Sequence, residues 1–386
     1  MVTSMLRIGI ALQLTFLLVY GCGGGDSDND TSHTAVELQM IATPGDDGVF
    51  DPAPVWDAAD SLWMSHSSVN WSRDDPLLSQ VHTRIAMSQD GGRSWVDTGA
   101  DPNQSHLIPD FQVTVGSDTY WATWRFEVSR LFHDPFDSDA NRRWKILWHR
   151  VVAIGDPTPT PLFQNSWIGY SHASSPDGAW SDERKLFTGS LYNGTDMDPI
   201  LGPAEFPLDT ILSNDLGGCT VFTEPGVLAR NDGIYISLQC TGDKRIILLR
   251  CDRAFSSCAF LGDLLTLSDA ALFNHNDHPI DFFSAPELVD TATATYLIVT
   301  GVDEGDGTDN RYNGCLVFRV SDLANASIER DAGIPVLVTR VDGSSGSFNG
   351  ACGYDPRDTA DGIIYSEFTP ASSPRFHLFS SQVTLP

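Results

Sequence analysis

The chain has 386 residues and a formal net charge of −28 at pH 7, from 51 acidic residues against 23 lysines and arginines. This excess of negative charge argues against nucleic acid or an anionic lipid surface as a partner, because both are polyanions. The sequence is rich in glycine and proline, contains ten tryptophans and twenty phenylalanines, and has little helical periodicity, which indicates an all-β chain.

The first 22 residues are predicted to be an export signal. Arg7 supplies a positive charge, the apolar run 8–20 is too short to span a bilayer comfortably, and Cys22 follows a small residue in a pattern that resembles a bacterial lipobox. Residues 23–34 are Gly-rich and acidic, as in a flexible tether, and residues 35–386 are left as a single domain. We expect lipidation of Cys22, a membrane contact through this anchor only, and a location at the bacterial outer membrane or cell surface, facing the periplasm or the exterior. An ordinary cleaved secretory peptide is the alternative.

The segment Ser88–Trp95 reads Ser-x-Asp-x-Gly-x-x-Trp. Asp90 can accept hydrogen bonds from the amides of its own turn, and the glycines supply positive φ. Trp95 is expected to bury its indole between neighbouring sheets. The pattern resembles the Asp-box, a hairpin signature of β-propellers among sialidases and glycosidases, and it implies a structural role for Asp90.

A short unit recurs along the domain: an acid beside a proline, a strand, a turn and a second strand. The five units start at 51–56, 108–113, 223–228, 285–289 and 353–356. Recurrence at a period of tens of residues predicts the blades of a β-propeller. The interval from Asp110 to Glu224 is about twice as long as the others, so it holds either an insertion or a sixth blade. Five blades with a decorated second blade is the preferred interpretation, and the segment 35–41 is expected to supply the outer strand of the last blade and join the two ends.

Six cysteines remain besides Cys22, and they allow fifteen disulfide connectivities. Cys251 and Cys258 flank a short turn and are the preferred pair, with Cys219–Cys240 and Cys315–Cys352 as further candidates. None of the spacings is typical of a zinc site, so disulfides in an oxidising compartment are expected. No metal site or cofactor is predicted; a structural calcium ion is compatible with the chain but not indicated.

Acids at the starts of the innermost strands of a propeller would converge on its central funnel. The candidates are Asp51, Asp110, Glu224, Glu287 and Asp355, with Asp198 just upstream of the third unit. Paired carboxyl groups suit glycoside hydrolysis, in which one donates a proton and the other activates water or attacks carbon. When such carboxyl groups lie close together, charge repulsion and desolvation separate their pKa values, so that one stays protonated while the other is ionised. Asp110, Asp355 and the aromatic Trp56 are candidates for substrate binding.

Each of these residues has a structural alternative. An acid before a proline is often a turn former whose carboxylate caps backbone amides. An aromatic strand residue such as Trp56 more often packs the blade than stacks on a sugar.

The layout resembles the five-bladed propeller glycosidases that include arabinanases, xylosidases and, more distantly, invertases. The resemblance rests on Asp51–Pro52, Asp198–Pro199 and Glu224–Pro225. It implies that Asp51 is the base, Asp198 the pKa modulator and Glu224 the acid, with Glu287 as second candidate for the acid. Asp198 and Glu224 stand less than a blade apart, closer than that family's layout. A sialidase is disfavoured, because Phe50–Pro52 stands where an early Arg-Ile-Pro motif would be.

The sequence therefore predicts a lipid-anchored glycoside hydrolase of neutral glycans, inverting if the resemblance holds. The alternative is a non-catalytic propeller lipoprotein that binds a glycan or a protein segment, since this fold hosts many functions. Two carboxylates about 5–10 Å apart, facing an open pocket with aromatic walls, would favour the enzyme. Acids engaged in turn hydrogen bonds would favour the binding protein.

Overall fold

The computed structural model consists almost entirely of antiparallel β-sheets arranged around a central cavity. It describes residues 35–41, 47–57, 60–71, 79–104, 108–155, 160–193, 204–275, 278–304, 311–342, 348–355, 357, 362–369, 372 and 374–386. The predicted leader and tether, Cys22 and Asp198 lie outside these residues. No helix within the described ranges has the length and apolarity needed to cross a bilayer.

The start of the chain closes the ring of sheets. Strand β1 (Val36–Glu37) pairs antiparallel with the last strand of the chain, where Ser380 lies opposite its first residue. Strand β2 (Gln39–Ile41) then runs parallel to the outer strand of the first blade, and Leu38 between the two strands is buried. The prediction that residues 35–41 join the two ends is confirmed. The segment is divided between the two blades, so each of them gains an outer strand.

The blades are described in chain order. The first contains β3 (Val49–Trp56), β4 (Leu62–Trp71), β5 (Ser79–Ser88) and β6 (Ser94–Asp97), with β2 outside. The second contains β7 (Phe111–Val115), β8 (Asp118–His133), β9 (Trp144–Ile154), β10 (Thr160–Ala173), β11 (Arg184–Thr188) and β12 (Phe206–Pro207). The third contains β13 (Phe222–Arg230), β14 (Gly233–Cys240), β15 (Arg245–Cys251) and β16 (Cys258–Leu265).

The remaining strands form the last two blades and two small hairpins. The hairpins are β17 (Asn274–His275) with β18 (His278–Pro279), and β23 (Arg330–Asp331) with β24 (Ile334–Pro335). The fourth blade contains β19 (Phe282–Asp290), β20 (Thr295–Asp303), β21 (Arg311–Asp322), β22 (Ser327–Ile328) and β25 (Leu337–Val341). The fifth contains β26 (Phe348–Tyr354), β27 (Ile363–Phe368) and β28 (Phe376–Ser380), with β1 outside. The helices are α1 (Leu208–Ile211), α2 (Ser213–Leu216) and α3 (Leu267–Ala270), besides single 3-10 turns at Ala140–Arg142 and Leu323–Asn325.

Five blades form the closed ring. The inner strands β3, β8, β13, β19 and β26 contact one another in that order, and β26 returns to contact β3. The long interval between Asp110 and Glu224 contains one six-stranded sheet, so the prediction of five blades with a decorated second one is confirmed. The six-blade alternative is wrong, because the inserted strands β7 and β12 extend the edges of that sheet.

Five large apolar clusters make up most of the core of the described residues, one between each pair of neighbouring blades, and two clusters of three residues each add to them. Trp95 is fully buried between the first and last blades, where it packs with Leu38 and Ile364. In the turn before it, Asp90 accepts hydrogen bonds from the amide and hydroxyl of Ser94, which lower the pKa of Asp90. Asp90 therefore stabilises a turn, in the structural role expected from the sequence.

Three disulfides connect the six cysteines of the domain. Cys251–Cys258 is the preferred pair of the sequence analysis and is confirmed; it joins the ends of β15 and β16. Cys219–Cys240 lies in the third blade. Cys315–Cys352 links the fourth blade to the inner strand of the fifth.

Candidate active site

A β-bulge in each of the five inner strands determines which side chains face the cavity. It lies near the start of β3, β13, β19 and β26 and in the second half of the longer β8. At these positions the register with the second strand of the blade shifts. The bulged residues have φ between 46° and 70°, and they are Asp51, Val128, Glu224, Ala285 and Gly350. Positive φ strains a residue that has a Cβ, and a bulge bends the strand and redirects a side chain. Asp51 and Glu224 therefore occupy equivalent positions in the first and third blades.

The bulges surround a cavity of about 460 Å³, a size typical of small-molecule sites. Its floor comprises residues of the bulges, namely Phe50, Asp51, Glu127, Val128, Thr223, Glu224, Ser284 and Gly350. Its walls include the aromatic side chains of His149, Phe163, Phe282, Tyr312 and Phe376. All five blades contribute to the lining, so the site exists only in the assembled ring.

Asp51 is fully buried and connects three blades. Its Oδ2 accepts hydrogen bonds from the hydroxyl of Ser67 at 2.9 Å and from the amide of Val128 at 3.0 Å, and its Oδ1 accepts one from the amide of Ala351 at 2.8 Å. Burial raises the pKa of Asp51 to about 6, with a contribution from the nearby charge of Glu127, although these hydrogen bonds oppose the shift. The carboxylate thus caps bulge amides of the neighbouring blades, as the structural alternative for an acid before a proline requires.

Glu224 makes the equivalent contact from the third blade but remains partly exposed to the cavity. Its Oε2 accepts hydrogen bonds from the hydroxyl of Ser284 and, at 2.7 Å, from the amide of Ala285. Burial raises the pKa of Glu224 to about 7, and the charges of Asp51 and Glu127 raise it further against the two hydrogen bonds. Glu224 is therefore a carboxylic acid that is about half protonated at neutral pH.

Glu127 is a third acid at this site, and the sequence analysis did not identify it. It immediately precedes the bulge of the second blade and forms an ion pair with Arg125, with 2.7 Å between Arg125 Nη2 and Glu127 Oε2. The sequence analysis missed it because Ser129 follows the bulge residue where the first, third and fourth blades have proline, so the acid–proline motif is absent. The available signal was the pair of charged residues two apart in the long apolar run of β8, since such residues share one face of the strand.

Tyr312, on β21, is close enough to all three carboxylates to interact with them electrostatically. Burial, followed by the charges of Glu224, Glu127 and Asp51, raises the pKa of its hydroxyl well above the usual value. The phenol therefore stays protonated and can donate a hydrogen bond in the cavity.

Gly350 leaves space beside the Oδ1 atom of Asp51. A Cβ at this position would overlap that atom, and the residue has φ +70°. We expect Gly350→Ala to lower the free energy of unfolding by about 1–3 kcal/mol through backbone strain, with further loss from the overlap. Urea unfolding would measure the change.

The matched control is Gly116→Ala, which has φ +66° but no atom within 4 Å of the added Cβ. The difference in free energy of unfolding between the two variants isolates the overlap with Asp51. Equal losses of stability in both variants would contradict the close approach of Gly350 to that carboxylate.

The other candidates from the sequence do not line this cavity. Glu287 lies two residues beyond the fourth bulge, where it forms an ion pair with the buried Arg130 of the second blade; burial raises the pKa of Glu287 to about 7, and the charge of Arg130 lowers it. Asp110 precedes β7 and accepts hydrogen bonds from Gln80 at 3.2–3.3 Å. Trp56 ends β3 and donates its indole hydrogen to Asp355, away from the bulge end of the strand.

The predicted convergence of five acids at the funnel is therefore wrong for Asp110 and Asp355. Glu287 contacts the second blade through Arg130 but does not line the cavity. Acid–proline pairs also occur in loops and beyond strand ends, and only the position relative to the bulge brings a carboxylate into the cavity. The role of Asp198 stays a prediction, because it lies outside the described residues.

One group within the described ranges has the ligand spacing of a metal site: Cys219, Cys240 and Asp243. The two sulfur atoms form a disulfide with each other, so neither is available as a thiolate ligand.

No protein-family model matches the chain, and no curated protein matches its sequence. Among solved structures, the chain is similar to a GH43 β-1,3-galactosidase with galactodeoxynojirimycin, with a TM-score of 0.51 and 7% identity over 89% of this chain and 92% of that one. A xylan β-1,4-xylosidase from Bacillus halodurans has a TM-score of 0.48 and 13% identity, over 88% of this chain and 53% of that one. This chain therefore spans about half the length of the xylosidase. A GH43 endo-arabinanase from Bacillus licheniformis has a TM-score of 0.46 and 13% identity, over 88% of this chain and 94% of that one. At these identities the similarity establishes the fold alone, which is the five-bladed propeller found in glycoside hydrolases.

Proposed function

We propose that the protein is a glycoside hydrolase that cleaves a neutral glycan in the central cavity. The observation that supports this most strongly is that Asp51, Glu127 and Glu224, from three consecutive blades, line one cavity with aromatic walls. Glycoside hydrolysis needs a protonated and an ionised carboxyl group on either side of one bond. The pKa values of about 6 for Asp51 and about 7 for Glu224 supply both forms between these two pH values.

Glu224 is the proposed general acid. Its carboxyl is partly exposed to the cavity and retains a proton near neutral pH. It would transfer this proton to the glycosidic oxygen as the bond from that oxygen to the sugar carbon breaks.

Asp51 is the proposed base, as the resemblance to the arabinanase-like enzymes implies. Three hydrogen bonds occupy three of the four lone-pair positions of its carboxylate, which leaves one on Oδ1, on the side of Gly350. A water bound there would give its proton to Asp51 as its oxygen attacks the sugar carbon, and the configuration at that carbon would be inverted. Glu127 is the proposed pKa modulator, because its charge raises the pKa of both Asp51 and Glu224.

A neutral substrate fits the charge of the cavity. Four acidic side chains line it, namely Asp51, Glu127, Glu224 and Glu304, against the two cations Arg125 and Lys244. Both cations are already paired, Arg125 with Glu127 and Lys244 with Glu304 at 2.5 Å. An anionic sugar would therefore meet net repulsion.

Export and anchoring are part of the proposal. The lipobox-like pattern around Cys22 supports attachment to a membrane lipid, and three disulfides suit an oxidising compartment. We place the protein at the outer membrane or cell surface, facing the periplasm or exterior, where a glycan substrate is accessible.

A second candidate function is non-catalytic glycan binding. The observation that favours it is the complete burial of Asp51 and its engagement with bulge amides. In that case Asp51 and Glu224 would only hold the blades together, and the aromatic walls would hold the sugar.

Sugar release from a broad panel of plant and microbial glycans distinguishes the two functions. We expect the protein to release sugar from at least one glycan and Asp51→Asn to lose this activity. Binding of a glycan by the folded protein without release, at every pH tested, would support the binding function instead.

The dependence of kcat/KM on pH is expected to be bell-shaped with its maximum between pH 6 and 7. The rate should fall below pH 6 as Asp51 takes up a proton, and above pH 7 as Glu224 loses one. Initial rates from pH 4.5 to 9 on the best substrate of the panel would measure this. A rate that keeps rising to pH 9 would contradict Glu224 as the acid.

A further inference from the structure

The wall of the cavity on the second blade is built differently from the others. Strands β8, β9 and β10 are 16, 11 and 14 residues long, and the part of β8 that precedes its bulge pairs with the end of β9 to form this wall. The cavity-lining side chains on this wall are Arg125, Glu127, His149, Pro161 and Phe163. The wall therefore offers a surface beside the proposed reaction centre.

His149 is a buried polar residue with one ring nitrogen that has no hydrogen-bond partner. It lies directly opposite Glu127 in the pairing of β8 with β9, so the two side chains share one face of the sheet. It is 3% exposed, and its Nε2 atom has no hydrogen-bond partner. Burial, together with the charge of Arg125, lowers the pKa of His149 to about 3, so the imidazole is neutral at the pH of function. A buried polar atom without a partner at a cavity is a position that a ligand can satisfy.

Phe163 is placed at the cavity by a second bulge. Leu162 and Ser166 are successive pairing positions of β10 with β9, so residues 163–165 are extruded from the ladder. The ring of Phe163 is 37% exposed and lies nearly parallel to the imidazole of His149, with 6.4 Å between the centroids and 19° between the planes. The bulge therefore presents the ring of Phe163 to the cavity, where covering its exposed face by an apolar surface of a ligand would be favourable.

We propose that His149 and Phe163 form a sugar-binding subsite next to the reaction centre and determine which glycan is accepted. This inference rests on the proposed function. The apolar face of a neutral sugar ring would cover the exposed part of Phe163, and a hydroxyl of the same or the adjoining ring would hydrogen-bond to Nε2 of His149. A neutral imidazole suits an uncharged hydroxyl, and Arg125 beside it is engaged with Glu127.

The test measures binding separately from catalysis. Xylobiose, arabinobiose and β-1,3-galactobiose are titrated calorimetrically into the protein with Glu224→Gln, so that the sugar is not consumed. We expect at least one disaccharide to bind, and Phe163→Ala or His149→Leu to weaken that binding about tenfold or more. His149→Gln, which keeps a polar group, should recover part of the loss, and the ¹⁵N resonances of His149 should shift on binding.

The matched control is Phe136→Ala, because Phe136 is 49% exposed and does not line the cavity. In the protein with Glu224 intact, the Phe163 variant should raise KM on the cleaved glycan about tenfold while kcat changes less than about threefold.

The outcomes separate this inference from the proposed function. Unchanged affinity in both subsite variants, with release still lost in Glu224→Gln, would overturn the subsite alone. Failure of every disaccharide to bind, together with no release from any glycan, would overturn both. Loss of affinity in Phe136→Ala to the same extent would also overturn the subsite.

Discussion

Replacing Glu224 by glutamine is expected to lower sugar release by about 10²- to 10⁴-fold, the range typical for loss of a general acid. The amide has no proton of suitable acidity for the leaving oxygen. Its oxygen can still accept the hydrogen bonds that Ser284 and Ala285 donate to the carboxylate. Sugar release at pH 6.5 and circular dichroism of the same preparation would show whether activity is lost while the fold is kept.

The same substitution is expected to stabilise the protein at alkaline pH. Folding raises the pKa of Glu224 from 4.5 to about 7, so it favours the protonated form; that contribution is full below pH 4.5 and is lost as the pH rises through 7. At one pKa unit per about 1.4 kcal/mol, and with allowance for partial exposure, we expect Glu224→Gln to raise the free energy of unfolding by about 1–3 kcal/mol at pH 8. Urea unfolding at pH 4.5 and pH 8 should show the gain only at pH 8.

Glu287→Gln is the matched control. The pKa of Glu287 is also raised to about 7, but this residue is the ion-pair partner of the buried Arg130. Neutralising it would leave Arg130 without a countercharge, so we expect a loss of stability at pH 8 while sugar release is kept. Loss of release in Glu287→Gln but not in Glu224→Gln would reverse the assignment of the acid.

Lys145→Met is expected to lower the free energy of unfolding by about 3–5 kcal/mol, the cost of removing one partner from a buried ion pair. The ammonium group lies 2.9 Å from Asp134 and 2.8 Å from Asp137, and all three side chains are buried. Burial tends to raise the pKa of Asp137, but hydrogen bonds from Lys145, Asp139 and Arg142 lower it to about 2. Without Lys145 both carboxylates would lose their shared buried countercharge, although Arg253, 2.8 Å from Asp134, moderates the loss.

Arg340→Met provides a comparison, since Arg340 and Asp342 form an exposed pair at 3.1 Å, and such pairs contribute about 0–1 kcal/mol. Adding Asp137→Asn to Lys145→Met should recover part of the stability, because it removes one of the two buried carboxylates that lose Lys145 as a partner. Urea unfolding at pH 7 would measure all variants. Similar losses in Lys145→Met and Arg340→Met would contradict the importance of the buried cluster.

The sequence predicts the fold well because propeller blades are local units. Turn residues, alternating strands and the cysteines near their partners identify each sheet, and the third unit, predicted to start at 223–228, lies within β13 (Phe222–Arg230). The closing contact of residues 35–41 was also predictable, because an unpaired edge strand needs a partner.

The site is only half predictable, because it depends on where the bulges fall. Asp51 and Glu224 carry the acid–proline signature, so they were identified, although it cannot distinguish a catalytic carboxylate from one that caps an amide. Glu127 and His149 reach the cavity through the register of β8 with β9, which is a property of the folded sheet. No pattern in the chain marks these two residues as neighbours.

The closing strands also impose an order on folding. Among the described strands, β1 precedes all the others in the chain, and its partner β28 follows all the others. The ring therefore cannot close until β28 has been synthesised, and until then β1 has no partner strand. Closure is a contact of very high sequence separation, and such contacts form slowly because a long loop must be ordered first. The cavity, which requires all five blades, would be among the last features to form.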